Sequence, residues 1–330
     1  MSYSEFLSQI CHIMKNQYPA ASISIQPVLK NNGQHLDGLL ILQPGENIAP
    51  SIYLNSYYTE YLNGELLGDI LDDIKSIYET HRIPVPFDIS IFQNFENIQK
   101  KIFFRLINQA SNLELLSDIP YLPFLDLAVV FFLTLENETI GSTTALIHNK
   151  HLELWHTTKE ELFTLARINT RTLSGYEILP MERLLFPETK PETPFPSPTA
   201  HTLFVLSSHA RTFGAACLLY EDVLASFADE IQDDFYILPS SIHEVLLIPA
   251  KKSPPAKALQ EMVEDINETE VAPEDVLSNQ IYFYRAAEHC LRIVLFTGYY
   301  TENQFSKPFN YKRSLLPADS SSPTGKKLPL

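Results

Sequence analysis

Apolar and polar residues change period several times along this chain, and each change marks an element. Phe6, Leu7, Ile10, Ile13 and Met14 recur at helical spacing, which predicts an amphipathic N-terminal helix. Ser22 to Leu29 (SISIQPVL) alternates instead, as a half-buried strand does. Asn31, Asn32 and Gly33 tolerate positive φ, so a hairpin is predicted with Leu36 to Leu42 as its return strand. From Gly64 to Thr80, Leu67, Ile70, Leu71, Ile74 and Tyr78 form one apolar helical face opposite Asp69, Asp72 and Asp73. Pro84 and Pro86 forbid its continuation.

Residues 87–108 read as strand (FDISIF), short helix (NFENIQ) and strand (KIFFRLIN). Two apolar runs, Phe124 to Leu135 and Thr139 to Ile147, are joined by Glu136-Asn137-Glu138 and predict a hairpin of central strands. Thr158 with Glu161 three residues on is a capping-box signal for the helix that follows.

The composition then shifts. PETKPETPFPSP cannot form a helix or a central strand, so residues 187–200 read as an extended linker between an N-terminal part (1–186) and a C-terminal part (201–298). In the second part, strands are expected at Thr202 to Leu206, Ala215 to Leu219, Phe235 to Leu238, His243 to Ile248, Ile281 to Arg285 and Leu291 to Phe296. Helices are expected at Glu221 to Ile231 and Pro255 to Asn267. The order ββαββαββ places strand pairs side by side, which argues for antiparallel pairing and an α+β fold. Residues 299–330 are polar, rich in Pro and Ser, and expected to be a disordered tail.

Charge narrows the possible partners. With 24 basic and 40 acidic residues the formal charge is −16, which repels the phosphate backbone and anionic lipid. Neither nucleic acid nor a membrane is expected as a partner. The longest strongly apolar stretch, Leu122 to Leu135, is short for a bilayer span and contains Asp126. Three scattered cysteines make no disulfide framework, and with no secretory leader evident the cytoplasm is the expected compartment.

Two stretches invite a chemical reading. In DFYILPSSIHEVLLIP, Ser240 or Ser241 with His243, and Glu244, Asp233 or Asp234 as acid, have the composition of a nucleophilic triad. There is no GxSxG elbow and no glycine-rich oxyanion loop beside them. The plainer reading is a turn whose hydroxyls bond the backbone between two strands. In HNKHLELWH, His148, His151 and His156 are possible zinc ligands, but their spacing matches no paired-ligand pattern, so a surface helix is preferred. Cys217, in GAACLLY, is expected to be a buried, inert thiol. Tyr57, Tyr58 and Tyr61 share one side if SYYTEYL is helical, as half-buried core or as a protein-binding surface. Phosphate-cradling glycine motifs are absent, and no cofactor is expected.

The segments NIAPSIYLNSYYTEYLNG, IPYLPFLDLAVVFFL, HLELWHTTKEELFTLARINT, GAACLLYEDVL, DFYILPSSIHEVLLIP and INETEVAPEDVLS, in this order, resemble an uncharacterised family of gut Firmicutes, domain of unknown function 5688. The resemblance runs from near the N-terminus to about residue 290, leaves the proline-rich linker and the C-terminal tail outside it, and implies no activity and no site residues. The expected function is a non-enzymatic cytoplasmic interaction or accessory protein with a protein partner. The alternative is a hydrolase using the Ser/His pair of PSSIHE.

Overall fold

In the computed structural model of the chain, residues 1–83, 89–137, 141–186, 203–296 and 304–305 are described. The expected proline stop at Pro84 and Pro86, the turn residue Glu138, the linker at 187–200 and most of the tail lie outside them. Of that tail only Gln304–Phe305 is described, as a short strand.

The fold is α+β, and every strand pair is antiparallel. The N-terminal layer holds α1 (Tyr3–Gln17), the sheet β1 (Ser22–Leu29), β2 (His35–Leu42) and β3 (Ser51–Tyr53), then α2 (Leu54–Leu62) and α3 (Leu67–His81). Phe6, Ile10 and Met14 of α1 and Ile70, Ile74 and Tyr78 of α3 meet Leu39 and Ile41 in one cluster. Each such side chain contributes ~1.5–3 kcal/mol on burial. The turn Asn31–Gly33 is a 3₁₀ turn with Asn32 at φ 57°. Its side chains reach far along the chain: Asn31 Nδ2 donates to Glu274 O at 2.6 Å, and Asn32 Nδ2 to Pro273 O and Val276 O at 2.8 and 2.7 Å. This clamps the hairpin tip onto the loop before residue 278.

The second sheet contains β4 (Ile102–Asn108), β5 (Tyr121–Phe124), β6 (Leu127–Asn137) and β7 (Gly141–Leu146), with β4 on one side of β6 and β5 and β7 along the other. Between its strands and around it lie the short helices α4 (Phe95–Ile98), α5 (Leu113–Leu116) and α6 (Asn149–Trp155). One face, with Phe104, Leu106, Val129 and Phe131, packs on α7 (Lys159–Ser174). The capping box of α7 forms as expected, with Glu161 N donating to Thr158 Oγ1 at 3.2 Å and Thr158 N to Glu161 Oε2 at 3.0 Å.

After α7 come β8 (Glu177–Pro180), α8 (Met181–Leu185), β9 (Phe204–Ser207), α9 (Glu221–Ile231), β10 (Phe235–Leu238), β11 (Glu244–Pro249), α10 (Ala256–Thr269), β12 (Tyr282–Arg285), β13 (Cys290–Leu295) and β14 (Gln304–Phe305). The strands form a third sheet in the order β14-β13-β12-β10-β11-β9-β8. Both of its faces are buried. Phe235, Ile237, Val245 and Leu247 face the cluster shared with Phe131 and Phe163, while Tyr236, Leu238, Leu246 and Ile248 face Leu259 and Val263 of α10. Burial on both faces explains why these strands read as unbroken apolar runs. The large cluster includes residues on either side of 187–202, and β8 pairs with β9 across that segment.

Three local expectations are corrected. Ala215 to Leu219 is a 3₁₀ segment (Gly214–Leu219) instead of a strand. All six of its residues are buried, and a uniformly apolar run carries no period that separates strand from buried helix. The place of the expected strand beside β9 is taken by β8. Ile89–Phe92 is also 3₁₀ instead of strand. The run from Phe124 is broken after one residue by a turn with Leu125 at φ 55°, where the Asp126 carboxylate accepts from Ser278 Oγ and Tyr282 OH at 2.5 and 2.6 Å. Among the described residues no helix is long and apolar enough to cross a membrane.

Candidate functional site

The residues of PSSIHE connect β10 to β11. Pro239 O and Ser240 O accept from Ser278 N and Leu277 N at 2.9 and 3.0 Å, and Ile242 N donates to Asp275 O at 2.9 Å, so the connector is laced to the 275–278 loop. Ser240 is buried, and Glu244 opens β11 opposite Ser207. Ser241 Oγ accepts from the backbone N–H of His243 at 3.0 Å. His243 Nδ1 accepts from Phe213 N–H at 3.3 Å, and Nε2 lies 3.3 Å from Asp275 Oδ1. With Nδ1 accepting the amide hydrogen, the ring hydrogen belongs on Nε2, beside the Asp275 carboxylate. A triad needs a serine hydroxyl on one ring nitrogen and an acid on the other. Here the acid is present and a backbone amide stands where the serine would be. Asp233 and Asp234 act elsewhere: Asp233 accepts from Lys251 N and Asp234 from Ala286 N, both at 2.8 Å.

The amide on Nδ1 belongs to a tight loop. Arg211 and Phe213 have φ of 52° and 54°, and Ser208 Oγ both donates to Thr212 O and accepts from Thr212 N. Gly214 follows, with its N–H on His243 O at 2.9 Å, and Ser207 Oγ donates to the same carbonyl at 2.8 Å. The Phe213 ring is half-buried against the large core cluster. It stacks on His243 (centroids 5.6 Å apart) and meets Phe132 edge-on at 5.4 Å.

Arg105 also lies over that ring, its Cζ 4.9 Å from the centroid. It is the lone charge of β4 (IFFRLIN), a signal present in the sequence but not singled out there. On β4 it shares a face with Phe103 and Ile107, turned away from α7, and its register partner is Val130. Its Nε is shut off from solvent and has no hydrogen-bond partner. Burial pushes the guanidinium below its ordinary value, with Asp275 opposing from a distance. Arg105 lines a cleft of about 680 Å³ between this sheet face and the end of the β1–β2 hairpin. Neither Arg105 nor Asp275 was named in the sequence reading, because their importance depends on which residues face them across the fold.

The three histidines around α6 are separately engaged. His148 Nδ1 pairs with Asp118 at 2.7 Å. His151 Nδ1 accepts from His148 N at 3.0 Å, and its ring stacks on Trp155 at 5.2 Å. His156 closes the helix at φ 51°. Among the described residues no group of three or more His, Cys, Asp or Glu side chains is arranged to hold a metal ion. Burial, and secondarily His148, push His151 below the ordinary histidine value of about 6.5. The fold thus favours neutral His151. Its stabilising share is complete above about pH 6.5 and is lost as pH falls through the lower folded value. Between pH 7 and 5 the melting temperature of His151→Gln should fall less than that of the wild type. Parallel curves would contradict this.

Cys217 is buried in the 3₁₀ segment, and burial pushes its thiol up to about 12, the inert state expected of it. Tyr57 is buried with its hydroxyl on Asp73 at 2.5 Å. Tyr58 and Tyr61 pack on Phe6 with ring centroids 5.4 and 5.7 Å away, so this trio is joined to the N-terminal core.

The profile of a family described as "Family of unknown function (DUF5688)" matches residues 3–286, a span that takes in the proline-rich stretch. No curated protein and no solved structure matches the chain.

Proposed function

Since the chain belongs to the DUF5688 family of unknown function, its chemistry has to be argued from its own residues, and we propose a non-enzymatic accessory protein of the cytoplasm that acts by binding a protein partner. The observation that supports this reading is the use made of PSSIHE. The Ser241 hydroxyl accepts the His243 backbone N–H, His243 Nδ1 accepts the Phe213 N–H, and Nε2 lies beside the Asp275 carboxylate at 3.3 Å, so the ring is engaged by two loops and not by Ser241. A hydrolase built on the same residues would need the Phe213 amide to leave the ring and Ser241 to take its place.

The test is a panel of esters and peptides offered to the wild type and to Ser240→Ala, Ser241→Ala and His243→Ala, each checked by circular dichroism. Turnover at background, or equal in all four, is expected. Ser241→Ala should cost the fold about 1 kcal/mol through its lost hydrogen bond. Wild-type turnover that vanishes in a folded His243 or serine variant would establish the hydrolase instead. Size-exclusion chromatography of native lysate should place the protein in a complex larger than its monomer. Elution as a clean monomer would count against the binding reading.

A further inference from the structure

We propose that the cleft beside the β1–β2 hairpin is a binding site for a small oxyanion, a carboxylate or a phosphate group, held by Arg105 with Lys30 at its rim. The inference goes beyond the accessory role, since such a site would serve a binding protein or an enzyme equally.

The chain is strongly acidic, yet each of the two carboxylates that line this cleft is turned to a histidine and not to a lysine or arginine. Asp118 pairs with His148 at 2.7 Å, and Glu114 lies 3.4 Å from His35 Nε2. Among the described residues, neither Arg105 nor Lys30 forms an ion pair. Arg105 rests on the Phe213 ring, and Lys30 Nζ lies 4.5 Å from the centroid of Tyr53. Aromatic faces hold a cation in place without neutralising it.

The arrangement is costly for the folded chain. An arginine set among Phe103, Val130 and Phe132 loses much of its hydration, and its sealed Nε gains no acceptor in return. A methionine would fill the same space without that cost. Arginine in such a place is unfavourable for folding and suited to a ligand, because its planar fork matches the two oxygens of a carboxylate or phosphate. Low local dielectric strengthens that bond once an anion enters. The cleft, about 680 Å³, falls within the range of small-molecule sites.

The full chain should be titrated by calorimetry with inorganic phosphate and, separately, with acetate and succinate, with sodium chloride at matched ionic strength as control. Saturable binding of either the phosphate or a carboxylate is expected, and which one binds assigns the anion class. Arg105→Met should weaken it by at least about tenfold, and Arg105→Lys should rescue little, because an ammonium lacks the fork. Lys30→Met should weaken it less. The melting temperature of Arg105→Met without ligand should equal or exceed that of the wild type. Binding no stronger than the chloride control, binding unchanged in Arg105→Met, or a lowered melting temperature in that variant would each overturn the proposal. None of these readouts depends on Ser241 or His243, so failure here leaves the accessory reading to its own test.

Discussion

Phe131→Ala is expected to cost about 3–5 kcal/mol of unfolding free energy, the usual loss when a large aromatic is removed from a sealed core. Phe131 is fully buried at the centre of β6, opposite Phe104, which in turn meets Phe163 of α7 at 5.8 Å. Its cluster runs on through Phe204, Phe227 and Phe235, beyond the proline-rich stretch. A void at Phe131 should therefore be felt on both sides. Scanning calorimetry should show one transition shifted to lower temperature as a whole. A variant that lowers one step and leaves a second at its wild-type temperature would mean that the parts before and after residues 187–202 unfold independently.

Gly214→Ala should be nearly as damaging, at roughly 3 kcal/mol, the upper end for overpacking. A Cβ at this position would lie 2.4 Å from His243 O, 2.5 Å from Ser208 N and 2.3 Å from Ser207 Oγ. Two of those atoms are backbone, so no rotamer change relieves the contact. The loop would have to withdraw from β11, and the Phe213 amide would leave His243. A urea midpoint equal to that of the wild type would show that the close approach around Gly214 has no energetic weight. The same variant bears on the oxyanion cleft, because Phe213 is the platform under Arg105.

Much of the fold was legible along the chain. The apolar stripe of α3, the alternation of β1, the capping box at Thr158 and the boundaries of α9 all follow from local rules, and the structure has them where those rules put them. Antiparallel pairing was also legible, because adjacent strands with short connections have no room for a crossover helix. What failed were uniformly apolar or irregular segments. GAACLL is buried on every side, so its sequence holds no phase from which to read a conformation. FDISIF alternated like a strand, yet its described part is a 3₁₀ turn whose Phe92 carbonyl accepts the Trp155 indole N–H at 2.6 Å.

At the candidate site the division is sharper. The residue types of PSSIHE were plain to read, and so was the turn they make. That His243 would find an amide from Phe213 and a carboxylate from Asp275, and never a serine, was not, since both partners come from distant loops. Arg105 was visible as one charge in an apolar strand. Whether a carboxylate would face it depended on how the β1–β2 hairpin docks, and that docking is fixed by Asn31 and Asn32 bonding carbonyls at Pro273, Glu274 and Val276. Sequence alone thus determined the elements and their inward faces, because periodicity and capping act over a few residues. Only the tertiary structure decided which polar groups are satisfied and which cation is left facing an open cleft, because hydrogen bonds and charges are matched by position in space across the whole chain.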